Sequence, residues 1–581
     1  MTIFAGAFRL RDDRALPEGL KDQLRQQLRH QDAAAFGQRF EREAPGFMLV
    51  AWDSGALGEP AWYDTTADVA ALAGDPLWGT ATQGAKSRIE QLRQLAPPSM
   101  PLDDGRLAES RGSFALARYE RHVRQLQLAT DAIGVRSVYY TEQDGVLLFA
   151  TALRILESMP AVKKRLCTQA MTELTALSFP LADRSPYQGI KILRESEMLH
   201  ADANGLRICR YFDWTEQPAV AQTKDQAARG LSLIFRDAVR VRAGADKCVY
   251  SFLSGGMDSR AIVATLVENG CQIEALNFSP DNSQDQRYAQ RLCALIPQHC
   301  RLHCLQGGIF PNFSFLARSA KSKLEAREAI QVDRPQVLWS GDGGSVGLGH
   351  VYMDEVLIEL AESKGLDAAL DYFLSFNRTA LHNGVLRSIP RKQLPDQLRQ
   401  SLLEEINRYP RKDLGRRFYL FLLFNDQRRH LFKHFETIDR HGLELLTPFY
   451  DATFLKSIAA LPSKWGVLHR LYAQWFDLLP NFARQTPWQT YPGHVACPLP
   501  ADQTATYQWD GRGMARKARL GQRWRESAEL MRRVRSGPAA EIYDVTRVGL
   551  AAVLHVIGLR DCSHILTGLR IYCSHAANTT S

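Results

Sequence analysis

The stretch KCVYSFLSGGMDSRAIVATLVENG runs from Lys247 to Gly270. CVYSFL is an almost unbroken apolar run, the pattern of a strand buried on both faces. DSRAIVATLVEN carries apolar residues at helical spacing and stops at Gly270, a natural helix C-cap. Between them lies Ser254-Gly255-Gly256-Met257-Asp258-Ser259. In an open parallel sheet a turn in this place sits at the carboxyl end of a strand, where ligands bind. Two glycines let the backbone approach an anion, and amides at the helix start point toward negative charge. Ser254 and Ser259 can donate hydroxyl hydrogen bonds. Asp258 would repel a bare phosphate, so its chemistry suits Mg²⁺ bridging phosphates. The turn is neither a Walker A loop nor GxGxxG. The plainer alternative is a tight strand-to-helix connection with a capping aspartate.

Working outward, QIEALNFS reads as the next strand, QDQRYAQRLCALI as a helix, and QVLWSGDGGS as another strand with a glycine turn. This alternation predicts an α/β unit with a parallel sheet. Tyr352 to Leu479 reads as mostly helical. Upstream, IFAGAFRL, FMLVAWD, SFALARY, LQLATD, VYYT and VLLFAT are short, aromatic and branched, and broken by turns, which predicts packed antiparallel sheets with helices outside. At 581 residues the chain exceeds one hydrophobic core. Lys and Arg outnumber Asp and Glu by 72 to 63, an excess that an acidic ligand explains as well as nucleic acid does. The N-terminus lacks a basic region followed by an apolar one, and VGLAAVLHVIGL (Val548 to Leu559) is too short to span a bilayer. The ten scattered cysteines read as reduced thiols. A cytoplasmic protein with neither nucleic acid nor membrane as partner is expected.

SGGMDS resembles the SGGxDS signature of the PP-loop ATP pyrophosphatases, which cleave ATP between its α and β phosphates and adenylate a carboxylate. Within them the chain is most similar to the asparagine synthetase group. QVLWSGDGGS (Gln336 to Ser345) resembles that group's SGEGSD turn, and GLELLTPFYDATFL (Gly442 to Leu455) its GVEARVPFLD segment. GSFALARYE and TDAIGVRSVYYTEQDG resemble its glutaminase-type domain. The resemblance implies an α+β N-terminal domain, Ntn-hydrolase-like and αββα-layered, over residues 1–215. It implies an α/β PP-loop synthetase domain of the adenine nucleotide α hydrolase-like kind over 216–510, leaving a basic, mostly helical extension at 511–581. It implies ATP and Mg²⁺ as cofactors, with the nucleotide held by Ser254, Gly255, Gly256, Asp258, Ser259, Asn277, Phe278 and Gly341. Asp258 resembles the first magnesium ligand. Ser345 stands where the second, an aspartate, is expected, so Asp342 becomes the candidate replacement. Asp342 and Glu444 match the members of a catalytic pair and are the candidates for activating an amine.

Two departures bear on the reaction. Position 2 is Thr2 where glutamine-using members carry cysteine, and AGDPLWGTATQ lacks their Asn-Gly motif. A retained scaffold without glutaminase activity is expected. A synthetase core beside a disabled glutaminase also resembles β-lactam synthetases and lasso peptide cyclases. TPWQTYPGHVACPLP (Thr486 to Pro500) resembles a segment of the second group. That resemblance implies macrolactam formation: an Asp or Glu side chain of a core peptide is adenylated, and the peptide's own N-terminal amine attacks it. The partners implied are the leader-free core peptide, a leader peptidase and a leader-recognition protein. The alternatives are a small-molecule amide or β-lactam synthetase, an ammonia-dependent asparagine synthetase, and a non-catalytic scaffold. The family's late lysine has no match near RQTPWQTYPGH, where Arg484 and His494 are the available substitutes.

Two further signals carry less. His299, Cys300, His303 and Cys304 lie close together, but not at zinc-finger spacing, in a segment where a strand is due. Gly511 to Arg535 holds nine Lys/Arg against two Glu, with Trp509 and Trp524 in or beside it. It reads either as a solvated helix face or as a docking site for an acidic peptide or partner protein.

Overall fold

The computed structural model describes residues 2–28, 37–78, 87–216, 222–305, 322, 331–376, 383–438, 442–507 and 516–579. Twelve strands from the first part of the chain form two antiparallel sheets. They are β1 (Thr2–Arg9), β2 (Gln38–Ala44), β3 (Phe47–Asp53), β4 (Trp62–Asp64), β5 (Asp68–Gly74), β6 (Phe114–Glu120), β7 (Gln125–Thr130), β8 (Tyr139–Gln143), β9 (Val146–Ala150), β10 (Lys191–Ile192), β11 (Glu197–Asp202) and β12 (Gly205–Arg210). One sheet has the order β10-β8-β9-β1-β3-β2, the other β12-β11-β7-β6-β5-β4. Alternation along β1 explains the layering. Phe4 and Phe8 point between the sheets, against Leu49, Tyr119 and Phe149, while Ile3, Ala5 and Ala7 face the opposite way. Helix Glu18–Gln27 covers that outer face with Leu20 and Leu24. Helices Arg88–Leu95 and Asp104–Glu109 cover the far side of the second sheet with Leu92, Leu95 and Leu107. The result is the αββα order expected of an amidotransferase-type domain.

A second sheet system follows. β13 (Cys248–Phe252), β14 (Gln272–Asn277), β15 (Cys300–Cys304), β16 (Val337–Trp339) and β17 (Glu444–Leu446) are all parallel, in the order β15-β14-β13-β16-β17. Chain direction across the sheet reverses at β13. Helices Met257–Glu268 and Gln284–Leu295 link the strands on one side. Between β16 and β17 the chain makes a mostly helical excursion, including Leu414–Phe421, a π-helix over Leu422–Gln427 and Arg428–Ile438. The reversal places two turns side by side, one after β13 and one after β16, the usual position of a ligand crevice in such sheets.

The end of the chain is helical, with Arg516–Ser536, Val545–Val556 and Ser563–Ala576. It packs back on the first domain. The Tyr543 hydroxyl donates to Thr175 Oγ1 at 3.2 Å, and Glu157 accepts from the Tyr187 hydroxyl and pairs with His575. Among the described residues no helix is long and apolar enough to cross a membrane.

Candidate active site

The turn after β13 is built by its own side chains. Ser254 N donates to Ser259 Oγ at 2.9 Å, the two serine hydroxyls meet at 2.9 Å, and Gly256 N donates to Ser254 Oγ at 3.2 Å. Gly255 N donates to Asp285 Oδ1 at 2.7 Å, and Ser279 Oγ donates to the other oxygen of Asp285. A Cβ on Gly255 would stand 2.7 Å from the Asp285 Cα, so only glycine lets the turn lie this close to the next helix. Asn277, buried at the end of β14, donates from Nδ2 to Leu253 O at 2.8 Å and accepts from Ser279 N at 3.0 Å. It locks the two strand ends together. Phe278 packs edge-on against Phe252.

The turn after β16 interlocks with the first. A Cβ on Gly341 would overlap the backbone of Ser259, and one on Gly344 would reach the Asp258 carboxyl carbon at 2.7 Å. Asp258 is therefore enclosed. Its Oδ1 accepts from the Tyr472 hydroxyl at 2.7 Å and from Ser345 Oγ at 3.0 Å, and its Oδ2 accepts from Ser345 N at 3.0 Å. Burial, with the charge of Asp342 adding to it, pushes the Asp258 carboxyl up to about 6 against these hydrogen bonds. All three donors are neutral, so the negative charge is hydrogen-bonded but not compensated. That is a fitting environment for a divalent cation. Ser345, standing where an aspartate was expected, orients Asp258 through both its amide and its hydroxyl.

Asp342 is exposed at the mouth of the crevice, held by Ser340 Oγ at 2.9 Å. The pair expected from the sequence does not assemble, because Glu444 is elsewhere. In the register of β16 and β17, Glu444 pairs with Val337, at the amino end of the strands, whereas Asp342 follows their carboxyl end. Glu444 is fully buried, its Oε1 paired with Arg136 and accepting from Leu445 N at 3.0 Å. Arg136 in turn lies over the Phe435 ring at 4.0 Å. Glu444 thus joins the parallel sheet to the first domain.

The acidic group nearest in role is Asp426, which the sequence reading missed. It sits in the π-helix, 7% exposed, with Oδ1 at 2.8 Å from His430 Nδ1 and Oδ2 accepting from Gln427 Nε2 at 3.3 Å. Gln427 Oε1 accepts from the Tyr450 hydroxyl at 3.2 Å, and the Tyr450 ring lies where a side chain on Gly343 would be. Burial raises the Tyr450 hydroxyl far above its usual range, and the charges of Asp342 and Asp426 push it the same way. Tyr450 is therefore close enough to both carboxylates to feel their charge. Single π-turns inside helices are rare and concentrate at functional sites. The extra residue per turn carries Asp426 and Gln427 to buried positions that ordinary helical spacing does not offer.

The segment at 486–494 closes the crevice. The Arg260 guanidinium is fully buried and donates to the carbonyls of Ala483 at 3.1 Å, Thr486 at 2.5 Å and Pro487 at 2.8 Å. Gln489 N donates to Gly255 O at 3.2 Å. The Gln489 carboxamide, 8% exposed, finds no hydrogen-bond partner at either Oε1 or Nε2 among the described residues. Orphaned polar atoms beside an anion-cradling turn fit a nucleotide. Of the candidates for the late lysine, Arg484 donates to Asn481 within its own short helix. His494 Nδ1 meets His469 Nδ1 at 2.5 Å, and the His469 ring stacks on Tyr472 and Tyr491. His469 and Leu468 both adopt positive φ, at 65° and 55°, strain of the kind that persists where surrounding contacts fix it.

Other sequence candidates fall as follows. Thr2 pairs by its backbone with Asp53 at the start of β1, while its side chain lies outside the described residues. Residues 79–83 of the AGDPLWGTATQ stretch and Trp509 also lie outside them. His303 Nε2 pairs with Glu274 at 2.6 Å, and Cys300 is buried beside Cys293.

Comparison with known proteins finds two family matches. The glutamine amidotransferase domain family matches residues 103–212, and the asparagine synthase family residues 230–309. An asparagine synthetase (glutamine-hydrolysing) of Bacillus subtilis is 28% identical over 186 residues, 31% of this chain and 30% of that protein. A second, from Methanocaldococcus jannaschii, is 24% identical over 258 residues, 42% of this chain and 45% of that protein. The chain thus spans less than half the length of either relative. One solved structure, titled as an allosteric regulatory enzyme of purine biosynthesis, overlaps 56% of this chain and 78% of its own, at TM-score 0.25 and 13% identity. The chain is thus similar in part to a glutamine amidotransferase domain and, after it, to an asparagine synthase one.

Proposed function

We propose that the chain is an ATP-dependent, AMP-forming carbon–nitrogen ligase, and that it closes a macrolactam ring in a ribosomally made peptide. The observation that carries the ligase reading is the interlock of the two glycine turns around Asp258, with Asp342 and Asp426 flanking Tyr450 beside it. Ser254, Gly255, Gly256, Ser259 and Gly341 form the phosphate side, with Gln489 supplying a further donor. Asp258 would hold Mg²⁺, with exposed Asp342 as the second candidate; the ion would supply charge neutralisation on the phosphates. The substrate carboxylate attacks the α-phosphorus of ATP and the bond to pyrophosphate breaks. The amine nitrogen then attacks the acyl carbon and the carbon–oxygen bond to AMP breaks. Asp342 and Asp426, with His430 behind Asp426, are placed to take the proton the amine must lose. The 486–494 segment, tied down by Arg260, shields the activated acyl group from water.

Ring closure is supported by Thr2 in place of a cysteine nucleophile, which argues for an amine brought by the substrate itself, and by the TPWQTYPGH segment that covers the site. The partners are then a leader-free core peptide, a leader peptidase and a leader-recognition protein. The test is incubation with ATP, Mg²⁺ and leader-free peptides, read by mass spectrometry. Loss of one water from the peptide with AMP formed supports the reading; AMP formed only with aspartate and ammonia overturns ring closure. Asp426→Asn retains pyrophosphate exchange and loses amide formation. If Glu444→Gln shows that same split and Asp426→Asn does not, the assignment of the base is wrong.

A further inference from the structure

We infer that the C-terminal helical hairpin is a docking surface for an anionic lipid bilayer. Helices Arg516–Ser536 and Val545–Val556 are joined through residues 537–544, which include the short helix Ala539–Ile542, and pack together, with Arg523 Nη1 donating to His555 O at 3.3 Å. In the second helix Val548, Ala551, Ala552 and Val556 are buried against the body of the protein. Leu550, Val553 and Ile557, at spacings of three and four, form the opposite face and are 60%, 46% and 52% exposed. Leu559 follows them at 75%. In the first helix the buried stripe Ser527, Leu530 and Val534 continues toward the N-terminus as Trp524 and Leu520, both exposed. The Arg523 contact puts that end beside residues 555–559. Six large apolar side chains thus stand exposed on one pair of packed helices, where single exposed apolar residues are normal but a group is not.

The charge around them selects the occupant. Residues 516–579 hold eleven Lys/Arg against five Asp/Glu. Arg525, Arg532, Arg535, Arg547 and Arg560 are all exposed, and Arg532 and Arg535 line an open depression with Ala528 and Met531. The apolar side chains are exposed on the outer faces of the two helices. Projecting leucine, valine, isoleucine and tryptophan ringed by arginine is the composition of a helix lying at the headgroup boundary of an acidic membrane. The sequence expectation of no membrane partner rested on spanning length, which surface docking does not require.

The experiment is flotation of the full-length protein with vesicles of phosphatidylcholine alone or with one third phosphatidylglycerol. The expected result is binding to the anionic vesicles at least about tenfold stronger than to the neutral ones, lost in half-molar salt. The triple variant Trp524→Glu, Leu550→Glu, Ile557→Glu should lose that binding while keeping its melting temperature, since each of these side chains is exposed. Arg525→Glu, Arg532→Glu and Arg535→Glu together should lose it by the charge route. Equal binding to both vesicles, no binding to either, or binding that survives both sets of substitutions overturns the inference. So does light scattering that shows a dimer broken by the triple variant while vesicles are ignored, because the occupant is then a second copy.

Discussion

Arg260 is the residue through which the phosphate turn and the closing segment hold each other, and Arg260→Met tests that coupling. Burial pulls its guanidinium from the usual 12.5 down to about 10, which at about 1.4 kcal/mol per pKa unit sets the cost of keeping the charge there at about 3 kcal/mol. Against this stand three bonds to the carbonyls of Ala483, Thr486 and Pro487, each contributing about 1.5–3 kcal/mol when the donor is charged. The hydrogen bonds outweigh the desolvation, and methionine fills much of the space. The net loss is then about 1.5–6 kcal/mol, with the three carbonyls left without their donor. The loss should be local. Hydrogen exchange read by mass spectrometry should speed up across 483–495 while β13 and β14 keep their protection, and the affinity for ATP should fall with it. Arg260→Lys, with no planar fork, should recover only part of the effect. Unchanged exchange at 483–495 in Arg260→Met would refute the idea that this side chain fastens the segment.

Ser345→Asp places a second carboxylate against Asp258 and removes a hydroxyl donor; thermal melts without metal should show a loss of about 2 kcal/mol, recovered when Mg²⁺ is added. Gly343→Ala meets both a φ of +94° and the Tyr450 ring. It should cost about 2–4 kcal/mol in denaturant titrations and reduce amide formation more than pyrophosphate exchange. Glu436 gives a pH signature away from the site. Burial pushes its carboxyl from 4.5 up to about 7, with Tyr139 and Arg154 limiting the rise. Because the folded value lies above the unfolded one, its contribution to stability is complete below 4.5 and is lost as pH rises through about 7. Stability of the wild type measured across that window should decline relative to Glu436→Gln, and parallel curves would show that Glu436 titrates normally.

The parallel sheet and its phosphate turn are readable from sequence because the signals are local: an apolar strand, two glycines and an amphipathic helix in a row. The interlock with the second turn is readable only in part. Gly341 and Asp342 stand out as a turn, but their closeness to Ser259 depends on the reversal of strand order at β13. Glu444 misled for a related reason. A short motif gives the identity of a residue and not the end of the strand on which it falls, and the register with Val337 puts it at the wrong one. Asp426 left no trace in the pattern. In FYLFLLFNDQRRH (Phe418 to His430) the apolar run ends and polar residues begin, which reads as a helix leaving the core. The π-turn keeps Asn425, Asp426 and Gln427 buried instead. Ser345 read as a weakened metal ligand because serine coordinates poorly; its two hydrogen bonds to Asp258 appear only once the turns are packed.

The closing of the C-terminal helices over the first domain has a consequence for how the chain is made. Thr175 is translated 368 residues before Tyr543, and Tyr187 388 residues before His575, the residues that contact them. Until those residues emerge, the helix Thr168–Leu177 and its surroundings wait with an uncovered surface, although domains generally fold as units in order of emergence. A stop ahead of Tyr543 would leave that surface of the first domain uncovered.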